Sequence, residues 1–292
     1  MAGDFDAAQA VLKDPNSNLS STALGLLYRG VLARCDATDG VTDGVVEDPR
    51  QCRFDPAALQ CTANEKPDTC LTAAQVEAAR RVYRGPVNPA GARIYPGLSV
   101  GSEPFWPNRD PASPFPIPIS YYKWLVFRDP NWDWKTLDMT RSADYDAIQK
   151  AEVTLAPVLN ATNPDLRAFR KRGGKLLQWH GWSDQLIAPQ NSIDYYQSVL
   201  SKMGGKQDNF VRLFMAPGMA HCQGGPGPNQ INYMAVMERW REGNTAPDTL
   251  TAYHVTNNRV DMVRPLCAYP AVAQYKGTGS TNDAANFVCK AP

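Results

Sequence analysis

The second half of the sequence predicts an α/β fold, because short apolar runs alternate there with helical patterns. Residues 175–180 form an apolar run after Arg-Gly-Gly, as expected of a buried strand, and residues 192–200 have a helical pattern. Residues 211–215 form a second apolar run, and residues 234–241 carry a second helical pattern that ends at Gly243. The order strand, helix, strand, helix is typical of an α/β domain.

The first half of the chain has a different character. Residues 1 to about 90 are rich in turns and hold four of the seven cysteines. Within them, Thr72-Ala-Ala-Gln75 is a capping box that begins a helix, and Gly85 ends that helix. Residues 90–160 are rich in proline and aromatic side chains, with poor periodicity. We expect a loop-rich cap there, whose rings either form its own interior or line a pocket for a flat substrate.

The charge pattern excludes some classes of partner. Lysine and arginine number 30 and aspartate and glutamate 29, and no basic stripe stands out. We therefore expect neither nucleic acid nor an anionic membrane as a partner. No apolar run approaches the roughly 20 residues that span a bilayer. The first residues show no charged segment followed by an apolar stretch, so no signal peptide is visible.

The cysteines suggest an oxidising compartment, with buried cytosolic thiols as the alternative interpretation. No Cys-x-x-Cys motif occurs, so a zinc site is not expected. The seven cysteines are an odd number, so one thiol has no partner within the chain. By position, six of them form local pairs in turn-rich segments, and Cys222 is left over. The pairs are Cys35 with Cys52, Cys61 with Cys70, and Cys267 with Cys289.

Two loops of the predicted α/β part carry reactive side chains. Asp184 follows the first strand and His221 follows the second. Catalytic groups of such sheets lie beyond the carboxyl ends of strands, and this order matches the later members of a Ser-Asp-His series. The aspartate would orient the imidazole, which would take the proton of a serine hydroxyl. The alternative is a surface acid and a structural loop histidine. We expect His180 to support the Asp184 loop and His254 to be structural.

An acidic, glycine-rich segment spans residues 36–48. Its carboxylates recur at steps of three and four, and their like charges would repel one another unless a cation neutralised them. Carboxylate and carbonyl oxygens converging in such a turn suit Ca²⁺, although the spacing is not that of an EF-hand. The alternative interpretation is a solvated acidic turn.

Several long motifs resemble the tannase and feruloyl esterase family, which includes mono(2-hydroxyethyl) terephthalate hydrolase-like enzymes. The segment from Cys35 to Pro56, CDATDGVTDGVVEDPRQCRFDP, is similar to part of the family's lid domain. The resemblance runs over nearly the whole chain. The other matching segments are residues 70–75, 95–97, 174–184, 217–227 and 275–289.

The resemblance implies an α/β-hydrolase core with a large loop-rich lid. Residues 1–160 would be the lid domain, with two disulfides, and residues 161–292 the C-terminal part of the core. Asp184 and His221 would belong to a Ser-His-Asp triad that acts on aromatic acid esters, namely feruloyl, galloyl or terephthalate monoesters. The resemblance also implies the three disulfides paired as above and a secreted or periplasmic protein. It implies a structural Ca²⁺ held by the side chains of Asp36, Asp39 and Asp43 and the carbonyls of Val41 and Val45.

The chain departs from the family in one respect. The family's nucleophile stands in Gly-Cys-Ser-x-Gly-Gly upstream of the lid, and its cysteine pairs with the cysteine after the catalytic histidine. That motif does not occur in these 292 residues, which accounts for the leftover Cys222. We therefore expect the nucleophile-bearing N-terminal part to be missing from this chain.

A different serine motif occurs in the first half of the chain. Residues 97–101 match Gly-x-Ser-x-Gly, and Ser99 precedes Asp184 and His221 in the right order. Prolines stand close before and after it, which disfavours the strand-turn-helix elbow that such a nucleophile needs. Ser183 lies on the loop of the acid itself, so it is a poor nucleophile candidate.

Three interpretations follow. The first is an aromatic ester hydrolase whose nucleophile lies outside this chain, with little turnover by the chain alone. The second is a noncatalytic, Ca²⁺-stabilised module that binds aromatic compounds or proteins, through self-association or a partner chain at an exposed sheet edge. The third is an active esterase with a rewired nucleophile such as Ser99.

Overall fold

The computed structural model describes residues 1–63, 68–106 and 115–291, with helices mostly in the first half and strands in the second. The α-helices are α1 (Ala2–Leu12), α2 (Ser21–Cys35), α3 (Ala73–Arg84), α4 (Pro116–Ser120), α5 (Ser142–Leu159), α6 (Arg167–Lys171), α7 (Gln190–Met203) and α8 (Tyr233–Gly243). The β-strands are β1 (Leu176–Gly181), β2 (Val211–Ala216), β3 (Gln230–Ile231), β4 (Thr249–Thr256), β5 (Arg259–Cys267), β6 (Val272–Tyr275) and β7 (Phe287–Lys290).

Helices α1, α2 and α3 pack around one apolar core. Leu27 of α2 and Ala79 of α3 are fully buried in it. The hydroxyl of Thr72 accepts the backbone N–H of Gln75 at 3.2 Å, and the Gln75 side-chain oxygen accepts the backbone N–H of Thr72 at 2.9 Å. The predicted capping box is thus confirmed, and α3 ends at Gly85, whose φ is +79°.

Three helices lie in segments that the sequence predicted to be turns or loops. Helices α1 and α2 lie in the segment expected to be turn-rich, and α5 lies at the end of the aromatic zone. Helix α1 buries Asp6 and Gln9 as well as Phe5, and α5 buries only Ile148. Neither α1 nor α5 shows an apolar stripe along one face, and that stripe is the pattern by which an amphipathic helix is recognised.

The aromatic rings of the cap pack mostly on one another. Phe5 of α1 contacts Tyr122 edge-on, with ring centroids 4.7 Å apart, and Phe127 stacks on Trp132 at 5.1 Å. Tyr122 is buried in this cluster, whereas Trp124 is exposed. These rings therefore form an apolar cluster of their own with α1, in line with one of the two expectations for them.

Strands β1 and β2 form a parallel pair whose last residues, Gly181 and Ala216, lie side by side. Helix α7 covers one face of the pair through Ile193, and α8 covers the other through Trp240. The predicted order of strand, helix, strand and helix is confirmed. Within the described residues, no further strand pairs with the outer edge of β1.

The remaining strands form two antiparallel units. Strands β3, β4 and β5 make one sheet, and β6 and β7 make a hairpin. A single bridge between Phe214 and Ala268 connects β2 to the segment after β5. Val41 of the acidic segment packs against Cys267 and Phe287, so the acidic segment is in contact with the C-terminal strands.

Three disulfides confirm the pairing expected from position and resemblance. They join Cys35 to Cys52, Cys61 to Cys70 and Cys267 to Cys289. Cys222 is an exposed free thiol. No helix among the described residues is long and apolar enough to cross a bilayer.

A buried carboxyl group organises the turn that follows the Gly-x-Ser-x-Gly segment. Glu103 is fully buried, and its Oε1 accepts the hydroxyl of Tyr83 at 2.7 Å and the backbone N–H of Gly101 at 2.8 Å. The carbonyl of Gly101 accepts the hydroxyl of Ser183 at 3.0 Å, which connects the turn to the loop after β1. Burial raises the pKa of Glu103 to about 7, against hydrogen bonds that lower it.

We predict that Glu103→Gln flattens the pH dependence of stability between about pH 4.5 and pH 7. The folded-state pKa of Glu103 lies above its unfolded value, so its contribution is fully present below the unfolded pKa and is lost as pH rises. The free energy of unfolding of the wild type, relative to the variant, should fall by on the order of 2 kcal/mol across that range. Urea unfolding at several pH values measures this, and parallel curves for the two proteins would contradict it.

Candidate active site

The loop after β1 is held against the loop after β2 by backbone contacts. The N–H of Trp182 donates to the carbonyl of Ala216 at 2.8 Å, and the N–H of Ser183 donates to the carbonyl of Met219 at 2.9 Å. A Cβ atom on Gly181 would lie 2.2 Å from the Met219 carbonyl oxygen, so glycine is required at this approach. The two loops thus lie together at the carboxyl edge of the parallel pair, where α/β folds place their ligands.

Asp184 and His221 meet at this edge. Oδ2 of Asp184 lies 2.9 Å from Nδ1 of His221, and their side chains are 5% and 38% exposed. The carboxylate accepts a hydrogen bond, so Nδ1 carries the proton and Nε2 presents its lone pair. Within the described residues, Nε2 of His221 has no hydrogen-bond partner. The arrangement matches the acid and base of a Ser-His-Asp triad.

The Asp184 carboxylate receives four hydrogen bonds. Oδ1 accepts the backbone N–H groups of Leu186 and Ile187 at 2.8 and 2.9 Å, and Oδ2 accepts Nε2 of His180 at 3.1 Å as well as His221. Burial alone would raise the pKa of Asp184, but these hydrogen bonds, led by that from His180, hold it below its usual value. The carboxylate is therefore charged at neutral pH and able to orient an imidazole.

A tight, glycine-rich turn presents His221. The backbone N–H of Ala220 donates to the carbonyl of Gly224 at 3.0 Å, and a Cβ atom on Gly225 would lie 2.0 Å from the Gly218 carbonyl oxygen. The N–H of His221 donates to the side-chain oxygen of Gln185, the neighbour of Asp184, at 3.3 Å. No sequence pattern predicts this additional link between the two loops.

Neither serine discussed as a rewired nucleophile is bonded to His221. The hydroxyl of Ser183 is buried and donates to the Gly101 carbonyl. Ser99 lies in an irregular segment that ends in a 3₁₀ turn at Glu103–Phe105, without the strand and α-helix of a nucleophile elbow. Among the described residues, no hydroxyl lies within hydrogen-bond distance of the His221 imidazole.

The other two histidines have structural partners. His180 bonds to Asp184 and to Ser192 of α7, as expected of a residue that supports the acid's loop. Nδ1 of His254 in β4 lies 2.7 Å from the carboxylate of Asp261 in β5.

The acidic segment has the donor chemistry of a Ca²⁺ site, and in this structure its carboxylates accept hydrogen bonds from backbone N–H groups and from an arginine. The carboxylate of Asp36 accepts the backbone N–H groups of Asp43 and Gly44 at 3.2 and 3.0 Å, and Oδ2 of Asp43 accepts Arg264 at 2.6 Å. Burial, together with the charges of Asp43 and Asp36, raises the pKa of Asp39 to about 6. Within the described part of the chain, no three acidic, histidine or cysteine side chains are grouped to hold a metal.

The two valines of the expected ligand set lie in local turns. The N–H of Val41 donates to Asp39 at 3.0 Å, and the N–H of Val45 donates to Asp43 at 3.1 Å. Each is an Asx-turn, in which an aspartate binds the backbone two residues later. Carboxylate and carbonyl oxygens fit a hard cation chemically. In this structure Oδ2 of Asp43 faces the Arg264 guanidinium, so a cation bound at that oxygen would compete with the ion pair.

Comparison with known proteins identifies the family. The family model described as tannase and feruloyl esterase matches residues 4–111 and 118–290. A mono(2-hydroxyethyl) terephthalate hydrolase of Piscinibacter sakaiensis is 35% identical over 95% of this chain and 53% of its own length. A probable feruloyl esterase of Arthroderma benhamiae is 38% identical over 96% of this chain and 55% of its own length.

A solved structure agrees with these relatives. Feruloyl esterase B from Aspergillus oryzae superimposes with a TM-score of 0.87 at 29% identity, covering 99% of this chain and 61% of that one. The chain therefore belongs to the tannase and feruloyl esterase family, and its fold is of the α/β-hydrolase type. The chain spans about half the length of the curated relatives it matches.

Proposed function

We propose that this chain supplies the acid and the base of an ester hydrolase that acts on aromatic acid esters. The observation that carries the proposal is the hydrogen bond between buried Asp184 and half-exposed His221, which leaves Nε2 free to accept a proton. The relatives are named for feruloyl esters and for a terephthalate monoester, and both are esters of planar aromatic acids. The attacking serine would come from hydrolase sequence outside these 292 residues.

In the proposed reaction, His221 moves a proton twice. Its Nε2 takes the proton of the serine hydroxyl as the serine oxygen attacks the ester carbonyl, and then gives that proton to the departing alcohol. In the second half, Nε2 takes a proton from water as the water oxygen attacks the acyl carbonyl. Nε2 then returns that proton to the departing serine oxygen, which releases the aromatic acid and restores the serine hydroxyl. Asp184 keeps the ring in the Nδ1–H form and stabilises the imidazolium at each step.

A second candidate function rests on the outer edge of β1. The edge is unpaired within the described residues, and Trp179 of β1 is partly exposed and stacked on Tyr233 at 3.6 Å. An unpaired strand edge can add a strand from another polypeptide. On this evidence the chain would be an interaction module that pairs with a second copy or with a partner chain. This function could accompany catalysis or replace it.

We place the protein outside the cytosol. Three disulfides hold the chain, and disulfides persist in oxidising compartments. A secreted or periplasmic location follows from this proposal.

We predict that the chain alone hydrolyses methyl ferulate no faster than the uncatalysed rate. Addition of a family segment that carries Gly-Cys-Ser-x-Gly-Gly should restore turnover, and His221→Ala should then reduce kcat by about a thousandfold or more. Ser99→Ala is the matched control and should leave the restored rate unchanged. Rapid hydrolysis by the chain alone that disappears in Ser99→Ala would overturn the assignment of the nucleophile. Ferulate binding or self-association without turnover in any mixture would favour the interaction module.

We also propose that Ca²⁺ binds the acidic segment as a structural cofactor, through the carboxylates of Asp36, Asp39 and Asp43 and the carbonyls of Val41 and Val45. The raised pKa of Asp39 supports this, because part of the increase comes from neighbouring negative charges that a cation would neutralise. Bound Ca²⁺ would hold the segment that packs against the C-terminal strands through Val41.

We predict that saturating Ca²⁺ raises the Tm by about 5 °C over the value in chelator, because a ligand that binds only the folded state stabilises it. Asp39→Asn should lose most of this increase. Asp194→Asn, on the exposed face of α7, should keep it. Equal Tm values of the wild type in Ca²⁺ and in chelator, measured by calorimetry, would refute the cofactor.

A further inference from the structure

We propose that His180 is a positioning residue for the Asp184 carboxylate and sets the direction in which that carboxylate faces His221. The inference rests on the proposed function of Asp184 and His221, and it assigns a role to a third histidine that the mechanism does not use.

The hydrogen bonds of His180 define its protonation at each ring nitrogen. Nε2 lies 3.1 Å from Oδ2 of Asp184 and 3.1 Å from the carbonyl oxygen of Ile187. Both atoms accept hydrogen bonds, so Nε2 must carry the proton. Nδ1 lies 2.7 Å from Oγ of Ser192 in α7 and, in the neutral ring, accepts the serine hydroxyl proton. The side chain of His180 is 10% exposed, so little water competes for these bonds.

His180 lies in a strand, so it can hold the Asp184 carboxylate in a fixed position. His180 belongs to β1 and pairs in register with Met215 of β2, whereas Leu186 and Ile187, which bind the other carboxylate oxygen, lie in the loop itself. Among the four donors to Asp184, His180 alone is part of a strand. The hydrogen bond from His180 therefore connects the Asp184 carboxylate to the β1–β2 strand pair, and the loop that carries His221 follows β2.

The two histidines bind the same carboxylate oxygen. Oδ2 of Asp184 accepts Nε2 of His180 from the sheet and Nδ1 of His221 from the opposite loop. Without the bond from His180, Oδ2 would be held by the half-exposed ring of His221 alone. Among the hydrogen bonds that lower the pKa of Asp184, that from His180 has the largest effect, ahead of that from His221. The 3.1 Å contact and the lowered pKa of Asp184 both link His180 to this carboxylate.

A purely structural role for His180 makes a different prediction. If the residue only stabilised the loop, its loss would lower Tm without changing how His221 is protonated. If it positions the carboxylate, its loss must change the tautomer of His221. Which ring nitrogen carries the proton is set by the hydrogen bonds that the ring makes.

The chain has only three histidines, so their ring nitrogens can be resolved by long-range ¹H–¹⁵N NMR. The spectra are recorded at a pH about two units above the ordinary imidazole pKa, where neutral rings dominate. In the wild type we expect His221 in the Nδ1–H form and His180 in the Nε2–H form. His254, bonded to Asp261, serves as an internal reference.

Two variants replace the His180 ring with an amide, and only one of the two amides is long enough to contact the Asp184 carboxylate. His180→Gln places an amide N–H near the position of Nε2, within reach of Asp184, and should keep His221 in the Nδ1–H form. His180→Asn is shorter by one methylene and cannot reach the carboxylate. It should therefore shift His221 to a mixture in which the Nδ1–H form is no longer dominant. Ser192→Ala removes the anchor of the His180 ring with little change in volume and should cause the same shift to a smaller extent.

The failures of the two proposals are distinguishable. If wild-type His221 is not in the Nδ1–H form, or Asp184→Asn leaves its tautomer unchanged, the pairing of Asp184 with His221 is wrong. If the wild type shows that form and His180→Asn retains it while folded, the positioning role is overturned and the pairing stands. Should His180→Asn not fold, an unchanged His221 tautomer in Ser192→Ala overturns the positioning role instead.

Discussion

The arrangement of the site depends on the parallel pairing of β1 and β2. Parallel strands end at the same edge of a sheet, so Gly181 and Ala216 finish side by side and their loops must share one space. Because Gly181 has no Cβ atom, the second loop can approach within contact of its backbone. Asp184 on one loop and His221 on the other then come within hydrogen-bond distance, and α7 and α8 pack on opposite faces of the strand pair.

The first half of the chain also contacts this edge. The guanidinium of Arg50 is held by a bidentate pair with the carboxylate of Asp48, through two N–H groups that each lie 2.8 Å from an oxygen. It also lies 5.4 Å from the centre of the Trp182 ring in the acid's loop. With the bond from Ser183 to Gly101, this gives the cap two contacts on that loop. Residues of the first half of the chain therefore help to hold the loop that carries Asp184.

Local patterns allowed part of this to be predicted from the sequence. The capping box of α3 and the apolar runs of β1 and β2 are short-range signals, and all three were confirmed. Helices α1 and α5 lack an apolar stripe because one buries polar side chains and the other is mostly exposed, so periodicity could not identify them. The pair of Asp43 with Arg264 joins residues 221 positions apart, and no local pattern encodes such a contact. The assignment of Asp184 and His221 came from loop position and family resemblance, and their roles stay predictions.

Amide hydrogen exchange of the acid's loop tests the central claim most directly. If the Asp184 carboxylate organises the loop, the N–H groups of Leu186 and Ile187 are protected in the wild type and exchange much faster in Asp184→Ala. The amides shared by β1 and β2 should keep their protection in that variant, because the strand pair does not depend on the carboxylate. Unchanged protection of Leu186 and Ile187 in Asp184→Ala would contradict the account.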